Sequence, residues 1–467
     1  MVVAGVVEEM TAASAQRAAL GAGAVVMETF AANNARAPHE KIELIRHLRP
    51  DMVLLAGGTD GGNQKHVVEM AQLFAAADAR PRLGNAYDLP VIYAGNNQAR
   101  QHIENILGGK VALDIVDNLR PSLEEENLQP ARLKIQAQFL EHVMAHAPGY
   151  PNLMKMVDHP IMPTPAAVGS IIKRLADKYN ANVLGVDIGG ATTDVFSVFS
   201  GIYNRTVSAN YGMSYSISNV LADAGIENVK RWVPFEISSS ELGNRIKNKM
   251  IRPTSIPYLP EDLQLEQALC REALRLSLEQ HKLLATGLKG LQKDSDIGAM
   301  FNQQQESCLI DTRALDIIIG SGGVLSHAPK RSQAAMMMLD AFKPQGITKL
   351  YVDSIFMMPQ LGVLGEVFPE IATAVFEKDC LIELGTAVSA YGDMMPNQLI
   401  VTGKIGDDEF ELHSGELKIL PLAKGCNASA ELRPARHIDV GAGVGKVWRG
   451  QLNGGEVGIM LDGRGLK

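Results

Sequence analysis

The chain has 467 residues, 46% hydrophobic and 21% charged, with a formal net charge of −8. Single cores stop growing near roughly 250 to 300 residues, so two to four domains are expected, and the acidic balance argues against a nucleic-acid-binding surface. The four scattered cysteines predict neither a zinc site nor a disulfide framework, and the absence of a long apolar run predicts no membrane span, so we expect a cytoplasmic protein.

Residues 1–125 alternate between strand and helix patterns, which predicts a parallel sheet covered on both faces. The pattern places strands at 2–7, 24–30, 52–56, 90–94 and 111–116, with helices at 12–22, 40–47, 66–77 and 98–107. Ligands bind at the carboxyl ends of such strands, where loops 57–63 and 95–97 are rich in glycine and asparagine. We expect these loops to be neighbours. They either make turns only or meet a phosphate, a cofactor tail or a partner's loop.

A helical pattern at 127–147 is followed by four prolines that mark a domain boundary, before a predicted helix at 166–179. Three strands are predicted between residues 183 and 215, and a long, mainly helical segment from about 214 to 305. Within it, Lys249 and Arg252 either meet an anion or are solvated charges.

Residues 183–198 form two apolar, strand-like runs, and the connection between them predicts a phosphate-holding hairpin. The connection carries two glycines and two threonines, Gly189, Gly190, Thr192 and Thr193. Glycine lets backbone N–H groups approach a phosphate, threonine adds a donor, and Asp187 and Asp194 have the oxygen ligands that hydrated Mg²⁺ prefers. Because residues 195–198 continue as a strand, a P-loop or dinucleotide fold is disfavoured. An ordinary tight hairpin is the alternative.

Farther along the chain, a predicted strand at 315–319 leads into a glycine-rich turn, and helix 332–342 and strand 349–352 follow. The turn holds Gly320, Ser321, Gly322 and Gly323, which would pass flat beneath a purine and ribose. Small residues from Gly385 to Gly392 lie at helical spacing and predict a close helix contact. Short β-type runs separated by glycines fill residues 398–467.

Together, the segments at 187–194, 320–323 and 385–392 resemble the second phosphate, adenosine and second connecting motifs of the actin, sugar-kinase and Hsp70 ATPase superfamily. Segments 54–63, 248–253 and 454–465 further resemble one family within it, the MutL family associated with glutamate mutase. It is unrelated to the mismatch-repair protein of the same name. The resemblance covers nearly the whole chain.

The resemblance implies an α/β fold: an actin-like, ribonuclease H-like ATPase core with an inserted flavodoxin-like α/β domain and a small C-terminal β-rich domain. The corresponding domains are a flavodoxin-like domain at 1–125, a helical, proline-rich connection at 126–182, an ATPase subdomain at 183–397 with a helical insertion at about 214–305, and a β-rich domain at 398–467.

By the same resemblance, ATP and Mg²⁺ are the cofactors. Gly189, Gly190, Thr192 and Thr193 would cradle phosphates, Asp187 and Asp194 would serve Mg²⁺ and its water, and the turn at 320–323 would flank adenosine. The implied function is that of a reactivating chaperone, which uses ATP to exchange damaged cobalamin on an adenosylcobalamin-dependent mutase. A homo-oligomer is compatible with this function.

The superfamily also has a first phosphate motif near its N-terminus, and none precedes residue 183 here. We therefore expect that the chain is truncated or that its gene start is placed too late. The hairpin by itself is expected to support nucleotide binding better than ATP hydrolysis. No histidine has an aspartate two residues before it, which disfavours direct cobalamin ligation. Two alternatives stay open: a metabolite kinase or carbonyl-activating ATPase of the same superfamily, and an interaction protein that does not hydrolyse ATP.

Overall fold

The structure, a computed structural model, describes residues 1–82, 88–144, 149–285 and 308–465. The described residues divide into two compact units, one within Met1–Pro163 and one of Thr164–Ala285 with Cys308–Lys467. Three parts of the predicted elements lie outside the described residues: the end of the helical segment at 286–305, the end of the helix at 145–147, and the last two residues of the β-rich tail.

The first unit contains the predicted parallel sheet. Its strands are β1 Val2–Gly5, β2 Glu28–Ala31, β3 Val53–Leu55, β4 Pro90–Tyr93 and β5 Ala112–Ile115. They are hydrogen-bonded in the order β2-β1-β3-β4-β5, with every pair parallel. This is the strand order of flavodoxin-like doubly wound sheets.

Helices cover both faces of this sheet. They are α1 Ala13–Gly21, α2 Pro38–Leu48, α3 Lys65–Ala77, α4 Arg100–Leu107 and α5 Gln129–Gln138. A further short helix, α6 Tyr150–Met154, has no buried residue. One hydrophobic cluster joins one face of the sheet to α2, α3 and α4, and a second joins the other face to α1 and α5. The predicted strand and helix alternation is therefore confirmed.

The loops at 57–63 and 95–97 are neighbours, as predicted. The buried Asn118 amide donates to Gly58 O at 3.0 Å and to Asp60 Oδ1 at 2.9 Å, and Asp60 Oδ1 also accepts from the Asn97 backbone at 2.9 Å. The buried Asn96 amide donates to Gly62 O at 3.0 Å. Side-chain hydrogen bonds thus fix the glycine-rich loop in one conformation.

The second unit is built on an eight-stranded mixed sheet in the order β15-β19-β11-β10-β9-β6-β7-β8. Its strands are β6 Val183–Ile188, β7 Thr193–Phe199, β8 Ile202–Ser208, β9 Ile317–Ser321, β10 Gly346–Asp353, β11 Leu381–Ser389, β15 Leu417–Leu420 and β19 Gly458–Asp462. Strands β6, β7 and β8 form an antiparallel meander, and β6, β9 and β10 are parallel.

Helices lie on both faces of this sheet too. They are α7 Thr164–Tyr179, α8 Ile217–Ala224, α9 Ile226–Lys230, α10 Ser239–Ile251, α11 Pro260–Leu284, α12 Gly323–Ser326, α13 Arg331–Phe342, α14 Met358–Leu364 and α15 Pro369–Val375. One cluster buries α8, α10, α11 and α13 on one face, and the other buries α7, α14 and α15 on the opposite face. Within the described residues, no helix is both long and apolar enough to cross a membrane.

The tail is rich in strands, as predicted, although β15 and β19 belong to the large sheet. The remaining strands are β12 Tyr391–Gly392, β13 Leu399–Ile405, β14 Asp408–His413, β16 Asn427–Pro434, β17 Ile438–Asp439 and β18 Trp448–Asn453. Four of them form a separate antiparallel sheet in the order β14-β13-β16-β18, and β12 pairs with β17. A single hydrophobic cluster joins this sheet to the end of β11 and to β19.

The helix contact predicted from the small residues at 385–392 is wrong. Most of this segment belongs to β11, which pairs with β10 on one side and β19 on the other. Gly385 has a φ of +133°, which is outside the helical region, and a Cβ there would lie 1.9 Å from Gly458 O. The small residues therefore allow close approach of strands, and helical spacing alone did not distinguish the two cases.

A close helix contact of small residues does occur, between α7 and α14. A Cβ at Gly362 of α14 would lie 2.1 Å from the backbone oxygen of Ala167 in α7. Backbone cannot yield as a flexible side chain can, so only glycine fits at this crossing without displacing a helix.

We expect Gly362→Ala to lower the free energy of unfolding by about 1 to 3 kcal/mol, since the added methyl separates two packed helices. Gly243→Ala is the matched control, because a Cβ at that helical position meets only Ile226 Cδ1, at 3.7 Å. The control should be neutral or stabilise by roughly 0.5 to 1 kcal/mol. Urea denaturation measures both variants. Equal stability of the two would contradict the proposed constraint.

Candidate functional site

The connection between β6 and β7 is a tight hairpin, as its sequence predicts. Asp187 lies opposite Asp194 and Ile188 opposite Thr193 in an antiparallel ladder, and Gly189 N donates to Thr192 O at 2.8 Å. The chain leaves the loop as a strand, so neither a P-loop nor a dinucleotide-binding turn is formed here.

The hairpin loop is fixed through its carbonyl groups. Gly189 O accepts from Met213 N at 2.9 Å, and Gly190 O accepts from the backbone N–H groups of Ser214 and Tyr215 at 2.8 and 2.9 Å. The Ser216 hydroxyl donates to Ala191 O at 2.7 Å. Residues 213–216 therefore hold the loop from one side, and we call them the strap.

The N–H groups of the same loop are left for another partner. Among the described residues, nothing accepts a hydrogen bond from the backbone N–H of Gly190, Ala191 or Thr192. Gly189, Gly190 and Ala191 are exposed and Thr192 is half-buried. Successive unpaired N–H groups form a concavity suited to an anion.

The two threonines differ in what they offer. Thr193 is buried, and its hydroxyl donates to the backbone oxygen of Tyr211. The donor of Thr193 is therefore engaged within the protein. Thr192 is half-buried in the loop itself, which makes it the better placed of the two to meet a ligand.

Asp187 is the second-last residue of β6 and lies beside the end of the parallel strand β9. It lies opposite Ser321 in that ladder, and the Ser321 hydroxyl hydrogen-bonds the Asp187 carboxylate. Burial raises the pKa of Asp187, the Ser321 hydrogen bond lowers it, and the charge of Asp353 raises it. The net effect is a raised pKa.

Asp194 is the second residue of β7 and shares one sheet face with Asp187, because residues directly opposite in an antiparallel pair share a face. Its side chain is buried, and its Oδ1 atom has no hydrogen-bond partner. Burial is the largest cause that raises its pKa well above the usual range, the charge of Asp187 adds to it, and Arg205 opposes it. A buried carboxyl oxygen without a partner is costly unless a ligand or ion satisfies it.

These two carboxyls fit a hydrated Mg²⁺ better than a metal cage made only of protein groups. Among the described residues, no three histidine, cysteine or acidic side chains converge as a metal site. Mg²⁺ keeps several waters and is usually held by one or two carboxylates together with substrate phosphates. The unsatisfied oxygen of Asp194 next to Asp187 matches that requirement.

Asp353 is an acidic residue of the site that the sequence analysis missed. It ends β10 and is fully buried, and its carboxylate accepts from Ile355 N at 3.2 Å and Met358 N at 3.0 Å. Burial raises its pKa in spite of these backbone hydrogen bonds. Asp353 directly follows the strand predicted at 349–352. Ligands bind at the carboxyl ends of parallel strands, and applying this rule to that strand would have identified Asp353 from the sequence.

The glycine-rich turn lies at the same edge of the sheet but is mostly covered. Gly320 and Ser321 are the last residues of β9 and are buried. Gly322 has a φ of +108°, and a Cβ there would lie 2.2 Å from Ile188 O, so glycine lets this turn close against the end of β6. Only Gly323, of the four predicted residues, is exposed.

Comparison with known proteins places the chain in a family. The family model described as "MutL protein" matches residues 1–380. The chain belongs to the MutL family. It is also 28% identical over 405 residues to "Protein MutL" of Clostridium tetanomorphum. The aligned residues cover 81% of this chain and 82% of that protein. The family identified from the sequence motifs is therefore confirmed.

The MutL family match includes the hairpin, the strap and the turn at 320–323, since all three lie before residue 380. The β-rich tail beyond β11 lies outside the matched residues. The residues assembled at the edge of the large sheet thus belong to the part of the chain that the family shares.

The raised pKa of Asp194 has a testable effect on stability without metal or nucleotide. Its folded-state pKa exceeds the unfolded value, so the unfolded state loses its proton first as pH rises from about 4. We expect the free energy of unfolding of the wild type, relative to Asp194→Asn, to fall with rising pH until the raised pKa is passed. Denaturation at a series of pH values measures the difference.

Asp408→Asn, in β14 and exposed, is the matched control and should show no such trend relative to the wild type. A stability difference between wild type and Asp194→Asn that is independent of pH would contradict the burial of a carboxyl group with a raised pKa at this position.

Proposed function

We propose that this MutL-family chain is an ATP- and Mg²⁺-dependent reactivating factor for an adenosylcobalamin-dependent mutase of the glutamate mutase type. The observation that carries the proposal is the unsatisfied carboxyl oxygen of Asp194 beside a hairpin loop with unpaired N–H groups. Anion donors and a cation ligand at one place are what a magnesium-bound polyphosphate requires.

Different residues would bind the phosphates, the Mg²⁺ ion and the adenosine. The N–H groups at Gly190 and Thr192 would donate to phosphate oxygens, with Gly189 shaping the turn. Asp187 and Asp194 would hold Mg²⁺ through its waters, and bound Mg²⁺ supplies charge stabilisation for phosphoryl chemistry. Exposed Gly323 is the part of the turn that would flank adenosine, while buried Gly320 and Gly322 permit the packing beneath it.

An actin-like ATPase core is part of the proposal. It is supported by the antiparallel meander of β6, β7 and β8, which is continued by the parallel strands β9 and β10 in one sheet with helices on both faces. In this account the hairpin is the second phosphate loop of that core.

The strap would transmit a conformational change from the nucleotide-binding loop to the surface that meets the partner. The strap holds the phosphate loop and leads directly into α8, so a change at the loop reaches the helical segment through covalent and hydrogen-bonded links. The energy available equals the difference in nucleotide affinity between two conformations. We propose that such a change releases damaged cobalamin from the mutase.

A nucleotide-binding protein without turnover is the second candidate. The favouring observation is the burial of Asp194, which raises its pKa and so disfavours the ionised form that would accept a proton from an attacking water. Steady-state phosphate release with saturating Mg·ATP separates the candidates: turnover supports the first, and binding without release supports the second.

We expect Asp194→Asn to weaken Mg·ATP binding at least about tenfold, or about 1.4 kcal/mol, because the cation loses a charged ligand. Binding of ATP with excess chelator should change little, since the phosphate-binding N–H groups remain. Isothermal titration calorimetry measures both, with Asp408→Asn as the control. Equal Mg·ATP affinity in wild type and Asp194→Asn would contradict the assignment.

Reactivation is tested with the mutase itself. An inactivated glutamate mutase-type enzyme, supplied with fresh coenzyme, Mg²⁺, ATP and this chain, should recover activity, and Asp194→Asn should not support recovery. The same mixture with a non-hydrolysable ATP analogue shows whether turnover is needed. If the wild-type chain binds Mg·ATP but restores no activity, the reactivation role is refuted and the nucleotide site stands.

A further inference from the structure

The end of α10 and the segment after it present large apolar side chains to solvent. They are Met250, Ile251, Ile256, Tyr258 and Leu259, and Ile256 and Tyr258 are 84% and 92% exposed. Single exposed apolar residues are ordinary, but a contiguous group of this kind marks an interaction surface. We call residues 250–259 the apolar segment.

The apolar segment is held in place by hydrogen bonds. Ser255 N and the Ser255 hydroxyl donate to Arg252 O at 3.0 and 2.8 Å, and the Lys249 ammonium donates to Ser255 O. Lys249 also forms an ion pair with Glu266 of α11 at 2.7 Å. These contacts fix the turn at 252–255, from which the chain leads into Ile256 and Tyr258, and a fixed turn reduces the entropic cost of binding.

A cavity of about 300 Å³ opens beside the apolar segment. Its apolar walls come from α8, α10 and α11, namely Ile217, Ile246, Leu265 and Leu269, and Ile256 contributes to its edge. The cavity thus has an apolar wall beside a polar, charged one, and exposed aromatic and aliphatic groups adjoin it. Such a cavity suits the anchoring of a partner's side chain.

The charges around the cavity indicate which partner fits. Arg245 is paired with Glu241 and Asp262, and Lys249 with Glu266, whereas within the described residues Arg252 and Lys247 form no ion pair. Both are exposed, and Arg252 lines the cavity. Three cations, Arg245, Lys249 and Arg252, and two carboxylates, Asp262 and Glu266, line the cavity. Both carboxylates are engaged by Arg245 and Lys249, so the charge left for a partner is that of Arg252, which favours an acidic partner surface.

We propose that the apolar segment and this cavity are the docking surface for the mutase, which inserts an apolar side chain flanked by carboxylates. Ile256 and Tyr258 pack around the inserted side chain, and Arg252 faces the carboxylates. The identity of the partner rests on the proposed function, whereas the surface and its chemistry rest on exposure, cavity and charge.

The same surface is linked to the nucleotide hairpin. The Ser218 hydroxyl of α8 donates to Met250 Sδ at 3.0 Å, and α8 directly follows the strap residue Ser216, which bonds Ala191 O. A displacement of the hairpin loop on nucleotide binding would thus be transmitted through one short helix to the docking surface.

The test measures binding of the complete chain to immobilised mutase by biolayer interferometry. We expect the double variant Ile256→Ser, Tyr258→Ser and the single variant Arg252→Glu each to weaken binding at least tenfold. Thermal unfolding should change little, because these side chains are mostly exposed. Met395→Ser and Lys424→Glu, exposed positions elsewhere in the unit, are the matched controls and should bind as the wild type does.

Calorimetry with Mg·ATP on the same variants separates this proposal from the nucleotide site. Loss of mutase binding with normal nucleotide binding supports the docking surface. Wild-type mutase affinity in all variants, or no binding of the mutase by the wild-type chain, overturns it. If the variants lose mutase binding while the wild type binds no nucleotide, the result supports the docking surface and contradicts the proposed ATP-dependent function.

Discussion

Strand β6 is hydrogen-bonded to β7 on one side and to β9 on the other, and the chemistry at the sheet edge depends on this double pairing. The antiparallel register places Asp194 opposite Asp187, and the parallel register places Ser321 beside Asp187. Gly322 then turns tightly against Ile188. A one-residue slip in either ladder would move an acidic side chain to the opposite face of the sheet.

The site contains three acidic side chains whose burial disfavours their charged form. Asp187, Asp194 and Asp353 all have raised pKa values, and burial is the largest cause for each. Carboxyl groups with raised pKa values cluster at functional sites because binding and catalysis require shifted pKa values. They lower the stability of the fold when they ionise. A divalent cation reverses this effect, because it favours the charged form that burial disfavours.

Sequence patterns predicted the local structure well where periodicity and turn chemistry agreed. The βα alternation before residue 125, the hairpin at 189–192 and the strand before Gly320 were all found as expected. The helix contact predicted at 385–392 was wrong, because small residues allow the close approach of strands as well as of helices. The burial of Gly320 and Gly322, the strap and the role of Asp353 depend on contacts between distant parts of the chain, which periodicity does not report.

Burial raises the pKa of Asp194 in the free protein, and bound Mg·ATP would favour the ionised form of the same carboxyl group. Titration calorimetry of Mg·ATP in two buffers with different ionisation enthalpies measures the protons released on binding. We predict that the wild type releases more protons on binding than Asp194→Asn does, by up to one, because the cation favours the ionised form of a carboxyl group whose pKa burial raises. Equal proton release by the two proteins, or the absence of any Mg·ATP binding by the wild type, would contradict it.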